Sequence, residues 1–237
     1  MKNYEKITEG LYRILGARSN IYLVSAETVA LIDTGMPGDE EIILAVIRAL
    51  GLRPGDVEYI LITHAHLDHV GALGRLKAVT GAKVVAGEKE RDYIEGRRML
   101  CSMRREGLSG KMFKVILFLL EKFKVKYEPV PLDIPVAGDA EREIVKGIKT
   151  IPTPGHSLGS LSYLCPSKSA LFTGDALTGK PVPGLPLRAG CADYACALSS
   201  VEHIAALSFD RLLLGHGEPV TEKAGTAVKK LLSSKER

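Results

Sequence analysis

The residue types able to do chemistry concentrate in one hexapeptide, His64-Ala65-His66-Leu67-Asp68-His69. Only six histidines occur in the 237 residues, and three of them fall here beside a carboxylate. Imidazole nitrogens and carboxylate oxygens are ligands that divalent zinc accepts, and a catalytic zinc keeps one position open for water. In an extended loop, side chains two apart project to the same side, so His64 and His66 can grip one ion. Asp68 and His69 then point elsewhere and suit a second ion close by. Neither ion is completed by the hexapeptide, and each needs ligands from other strand ends. The candidates are His156 after the turn Thr153-Pro154-Gly155, Asp175 at the end of Phe172-Thr173-Gly174, and His216 between Gly215 and Gly217. His203 is left over and reads as a surface or packing residue of a helix.

The elements that must position these groups are legible as apolar runs bounded by turn residues. Leu11–Leu15, Asn20–Val24 and Val29–Asp33 read as three strands of an antiparallel meander. A helix opens at Asp39-Glu40-Glu41 and ends before Gly51, with acids in its first turn, where they complement the helix dipole. Val57–Thr63 is almost wholly apolar, as in a strand buried on both faces, and runs directly into His64. A helix over Val70–Val79 and a strand over Lys83–Ala86 follow. In the second half, Gly147–Thr153, Ser160–Cys165, Ser169–Thr173 and Arg211–Leu214 read as strands. Asp193–Leu207 and Thr221–Ser233 read as helices. Ligand-type side chains repeatedly sit just past a buried strand.

Glu88–Lys126 breaks the rhythm. It reads as two helices, Glu88–Glu106 and Ser109–Lys124, inserted into the domain. It carries 11 Lys/Arg against 6 Asp/Glu, so the whole positive excess of the chain lies here. The second of these helices is apolar around most of its circumference and must be covered by something. It reads as a lid accepting an apolar group, as a homodimer interface through residues 109–124, or as outer-layer packing. Arg97, Arg98, Arg104 and Arg105 would attract an anionic substrate in the first case. Basic flanks beside an apolar helix also allow contact with a membrane surface, without stable insertion.

Five pieces, in this order, carry a family resemblance: Ile32-Asp33-Thr34-Gly35, the His64–His69 motif, Thr153–His156, Gly174-Asp175 and Gly215-His216. The chain resembles the metallo-β-lactamase superfamily over residues 32–217. The resemblance implies an α/β fold, a four-layer αβ/βα sandwich of two mixed sheets with helices outside, as a single domain. It also implies two zinc ions. His64, His66 and His156 would hold the first, Asp68, His69 and His216 the second, and Asp175 would bridge them. Asp33 matches the family's buried aspartate, which orients ligands; the plainer alternative is a turn former before Thr34-Gly35. The implied activity is hydrolysis by a water activated between two metals, with Asp68 orienting it.

Thr153-Pro154-Gly155-His156-Ser157 and Leu171-Phe172-Thr173-Gly174-Asp175 resemble the glyoxalase II-like branch, which hydrolyses thioesters. With 21 residues after His216, the chain lacks room for that enzyme's glutathione-gripping helical region, so thioester, ester and lactone substrates all stand. The lactonases' tyrosine after the bridging aspartate is missing from Ala176–Lys180. Persulfide dioxygenases, similar in sequence, use one iron on two histidines and an aspartate. The matching positions here are His64, His156 and Asp175, and imidazole suits either metal.

Composition bounds the setting. Hydrophobic residues make up 46% and charged residues 25%, which excludes wholesale disorder. The strongest apolar run, Val115–Leu120, is far short of a membrane span. A net charge of +4 is too mild to argue nucleic-acid binding. Four cysteines without Cys-x-x-Cys spacing, and a start without an apolar leader, point to reduced thiols and a cytoplasmic chain, while the family resemblance implies a small-molecule substrate.

Overall fold

Burial alternates along the strands and sorts their apolar side chains into separate layers. In the computed structural model, which describes residues 3–98, 127–179 and 183–235, the strands form two sheets. The first runs in chain order through β1 (Tyr4–Thr8), β2 (Leu11–Ile14), β3 (Ile21–Ser25), β4 (Val29–Ile32), β5 (Tyr59–Leu61), β6 (Lys83–Gly87) and β7 (Ile134–Val136). Strands β1 to β4 are an antiparallel meander, and β4 to β7 are parallel. The second sheet contains β8 (Arg142–Val145), β9 (Ile148–Pro152), β10 (Leu161–Cys165), β11 (Ala170–Gly174) and β12 (Arg211–Leu214), with β12 parallel to β11 and the others antiparallel. Both sheets are therefore mixed.

Tyr22, Val24, Ala30, Ile32, Leu61 and Val85 of the first sheet meet Ile148, Leu161, Tyr163, Phe172 and Leu213 of the second in one buried layer. Tyr22 and Phe172 pack edge to face, with ring centroids 5.4 Å apart. The intervening residues Ile21, Leu23, Leu31 and Ile60 face outward and pack under α1 (Glu40–Ala49), α2 (Leu67–Val70) and α3 (Leu73–Thr80). On the far side Ile151, Leu164, Leu171 and Leu212 pack under α5 (Tyr194–Ala206) and α6 (Ala224–Lys235). The result is the four-layer αβ/βα sandwich expected from the resemblance. Strands covered on both faces read as continuous apolar runs, and this is why β3, β4 and β5 stand out in the sequence. Each fully buried large aliphatic contributes about 1.5–3 kcal/mol.

Several expected elements have different limits. The run Val57–Thr63 forms a strand only over Tyr59–Leu61. A 3₁₀ turn over Pro54–Asp56 precedes Val57, and Thr63 N–H leaves the ladder to bond the Asp33 carboxylate at 2.8 Å. The expected helix Val70–Val79 is two helices, α2 and α3. The expected helix Glu88–Glu106 is contradicted in its described part. A 3₁₀ turn (Glu88–Glu90) and the single-turn α4 (Arg91–Ile94) end at a left-handed Gly96 with φ +70°. Buried Ile94 pins that turn to the core, and Arg98 N–H closes back on the Asp92 carbonyl at 2.9 Å. The Ser109–Lys124 helix, Arg104, Arg105 and Cys101 lie outside the described residues. Strands β1, β7 and β8 had no sequence expectation, and all three are sheet edges. Among the described residues, no helix is long and apolar enough to cross a membrane.

Candidate metal centre

Every candidate ligand sits at or just beyond the C-terminal end of a strand. Asp33 follows β4, the His64–His69 motif follows β5, His156 follows β9, Asp175 follows β11 and His216 follows β12. β4 and β5 are parallel, and so are β11 and β12. Parallel neighbours deliver their carboxyl ends to the same side, where open α/β sheets bind their ligands.

The structure brings the seven expected ligands into two groups. His64, His66, His156 and Asp175 offer ligand atoms that all lie within 4.8 Å of one another, as do those of Asp68, His69 and His216. His66 Nδ1 lies 2.9 Å from both His64 Nε2 and His156 Nε2. A single ring N–H cannot serve both neighbours, so the convergence suits lone pairs shared with a cation. Asp175 spans the two groups: Oδ2 is 3.5 Å from His156 Nε2 and 3.7 Å from His216 Nε2, and Oδ1 is 3.7 Å from His69 Nε2. Among the described residues, that buried Oδ1 has no hydrogen-bond partner. An orphaned buried carboxylate oxygen is costly unless paired with a charge. The donor set therefore fits divalent cations.

Neighbouring hydrogen bonds fix which nitrogen each ring presents. Asp33 adopts a left-handed backbone (φ 59°), a strained state for a non-glycine residue that costs about 1–3 kcal/mol. Its Oδ1 accepts the Thr63 amide, and its Oδ2 accepts both the Thr63 hydroxyl and His69 Nδ1, each at 2.8 Å. The Thr63 hydroxyl proton is thereby committed to Asp33, so His64 Nδ1–H donates to Thr63 Oγ1 at 3.1 Å. His64 and His69 consequently aim Nε2 at the centre. Asp33 is thus seen bonded to a ring of the cluster, which goes beyond a turn-forming role.

Charge is unevenly placed. Burial, reinforced by the surrounding imidazoles, holds the His64 pKa well below the ordinary histidine value. Burial would also lower the His69 pKa, but the carboxylates of Asp33, Asp175 and Asp68 outweigh it and raise the ring to about 10. The hydrogen bond to Asp68 raises His216 against burial. Burial works against the Asp68 carboxylate as well, yet His216 at 3.2 Å, with His69 and His66, holds it well below the usual carboxylate range.

The loops are fitted closely around the ligands. A Cβ on Gly215 would meet Asp175 Oδ1 at 2.3 Å, so only glycine lets β12 end beside that carboxylate. Asn20 donates to the carbonyls of Leu214 and Gly217, on either side of His216, and Tyr22 also donates to Leu214. Ser19 Oγ donates to the Asp68 carbonyl. Sequence reading passed over Asn20 and Thr63 as ordinary strand residues, and Glu90 as one charge in a helix. Nothing local to them signals their role. His203 stands apart from both groups and bonds Glu141 at 2.9 Å, in keeping with a surface residue. Among the described residues, no disulfide joins Cys165, Cys191 or Cys196.

The comparisons agree with this geometry. The family model of the metallo-beta-lactamase superfamily matches residues 15–216. A probable metallo-hydrolase of Methanocaldococcus jannaschii is 27% identical over 206 residues, covering 86% of this chain and 89% of that protein. A hydroxyacylglutathione hydrolase of Brucella anthropi is 30% identical over 147 residues, covering 60% of this chain and 44% of the relative. Two further curated relatives, from Bacillus subtilis and Caenorhabditis elegans, are spanned over only 61% and 65% of their lengths. A solved metallo-β-lactamase of Cronobacter sakazakii, described by its HARLDQ motif, superposes with a TM-score of 0.71 at 25% identity. The match covers 99% of this chain and 93% of that one. Where that motif has Arg and Gln, this chain has His66 and His69. A sandwich of this topology, with strand ends that gather five histidines and two aspartates, matched by the family model over most of its length, belongs to the metallo-β-lactamase superfamily.

Proposed function

We propose that this chain is a dinuclear zinc hydrolase of the glyoxalase II-like kind, acting on a thioester, ester or lactone bond of a small molecule. The observation that carries the reading is Asp175, whose carboxylate spans the two ligand groups and whose buried Oδ1 has no hydrogen-bond partner among the described residues. His64, His66 and His156 would hold one ion, Asp68, His69 and His216 the other, and Asp175 would bridge both. Two zinc ions bound there would supply Lewis acidity and a water acidic enough to ionise near neutral pH. Asp68, whose carboxylate is held ionised by His216, would orient a water at the centre. Asp33 fixes the His69 ring through Nδ1, as in the carboxylate–histidine pairs that tune metal ligands. No Ser or Cys nucleophile is required.

The resemblance to hydroxyacylglutathione hydrolases supports a thioester. A cavity of about 250 Å³ beside the His156 loop, lined by Lys89, Tyr93, Arg98 and Leu158 among others, supports a substrate with an anionic and an apolar part. Arg98 also lies 3.5 Å from Asp92, and Arg97 is engaged by Glu95 and Asp92. A cytoplasmic setting without nucleic-acid partners is supported by the mild charge and by the absence of a disulfide among the described residues.

The test is an assay of zinc-loaded protein and of His66→Ala against thioesters, carboxylic esters and lactones. Hydrolysis of at least one class, lost in His66→Ala, is expected. Equal rates in both proteins, or hydrolysis of none of the three, would overturn the proposal.

A further inference from the structure

Glu90 is 1% exposed and lies on neither ligand group, yet its carboxylate touches both chain segments that supply the three histidines. Its Oε2 accepts the amide of Ala65, the residue between His64 and His66, at 3.0 Å. Its Oε1 accepts the Ser157 hydroxyl at 2.7 Å and the Gly159 amide at 2.9 Å, both just past His156. The two segments are some ninety residues apart in sequence, and the carboxylate ties the backbone on one side to the backbone and a hydroxyl on the other. We propose that Glu90 is a positioning residue for the tri-histidine half of the metal centre, clamping the backbone of the His64–His66 loop to that of the His156 loop.

The surroundings are shaped for this contact. A Cβ on Gly159 would meet Glu90 Oε1 at 2.6 Å, and one on Gly87 would meet the Gly159 carbonyl at 2.0 Å. Two glycines therefore let the end of β6 and the following 3₁₀ turn, which carries Glu90, approach the His156 loop closely. Ser160 Oγ accepts the Ser157 amide at 3.0 Å and lies 2.7 Å from Ser157 Oγ, holding that hydroxyl in place. The three donors named here are uncharged. A buried carboxylate costs free energy unless its lone pairs are filled, and three donors fixed on two different loops fill them in a single geometry. A hydrophobic residue of equal size would fill the space without tying one loop to the other.

The inference rests on the metal-centre reading, and its test separates the two. Cobalt(II) is titrated into metal-stripped wild type, Glu90→Gln, Ser157→Ala and His66→Ala, with affinity from a competing chelator and ligand geometry from the visible absorption bands. Glu90→Gln keeps the size but offers one acceptor oxygen, so the Ala65 or the Ser157/Gly159 link is lost. The expected result is affinity about 10- to 100-fold weaker with shifted bands. Ser157→Ala, which removes one donor and leaves the other two, is expected to give a smaller change in the same direction. Far-ultraviolet circular dichroism checks that each variant is folded; should Glu90→Gln not fold, Ser157→Ala carries the test. Wild-type affinity and bands in the folded Glu90 and Ser157 variants, with binding lost in His66→Ala, would overturn the clamp alone. Wild-type cobalt binding in His66→Ala as well would overturn the metal-centre reading on which the clamp rests.

Discussion

The two ligand groups are built from similar residues but balanced in opposite ways. His64, His66 and His156 are all buried, and burial with mutual repulsion keeps the His64 ring neutral. Asp68 and His216 are partly open, with side chains 29% and 40% exposed, and carboxylates raise the pKa of His69 to about 10 and push that of His216 above the ordinary histidine value. Ligands must shed their protons to bind a metal. His64 is therefore ready to offer a lone pair to a cation, whereas His69 carries a proton that a cation would have to displace. Two neighbouring groups of the same residue types are thus set apart, one by desolvation and the other by charge.

The largest expected effects come from breaking one group at a time. His66→Ala should abolish hydrolysis and the tighter metal binding, measured by activity and elemental analysis. His216→Ala should leave the tri-histidine group intact and remove about one ion of two; loss of both would show that the groups are not independent. Asp33→Ala frees the His69 ring and should weaken metal binding about 10- to 100-fold, read by chelator competition.

A pH series sharpens the contrast. In chelator-stripped protein, the raised His69 pKa means that its protonated pair with Asp33 stabilises the fold fully below pH 6.5 and loses that contribution as pH rises toward about 10. His64 acts with the opposite sign. Below pH 6.5 the unfolded chain takes up a proton that the buried ring resists, so stability falls with acid. Thermal melts of stripped protein should weaken at both ends, and zinc should flatten the alkaline limb because a ligating His69 is already neutral. Alkaline melts unaffected by zinc would break the comparison. The smallest effect is expected for His203→Ala, which removes only the exposed contact to Glu141 and should leave activity unchanged.

Much of this architecture was legible in the sequence, for a physical reason. Strands covered on both faces, such as β3, β4 and β5, write near-continuous apolar runs, and ligands that follow them inherit that signal. The unread strands β1, β7 and β8 are sheet edges, where fewer faces are buried. β7 carries Pro135, which an edge tolerates and a pattern search discounts. The seven residues that converge at the strand ends were readable because histidine is rare and clustered. Thr63, Asn20 and Glu90 were not, because a hydrogen bond to a loop 25 or more residues away leaves no periodicity. Glu90 was also hidden by its charged neighbours, which resemble a solvated helix.

The central claim is that the two groups together hold two zinc ions, and metal content per chain tests it most directly. Elemental analysis of protein purified without added metal should find about two zinc ions per chain. About one iron per chain would contradict it and point instead to persulfide oxidation on His64, His156 and Asp175, measured as oxygen uptake.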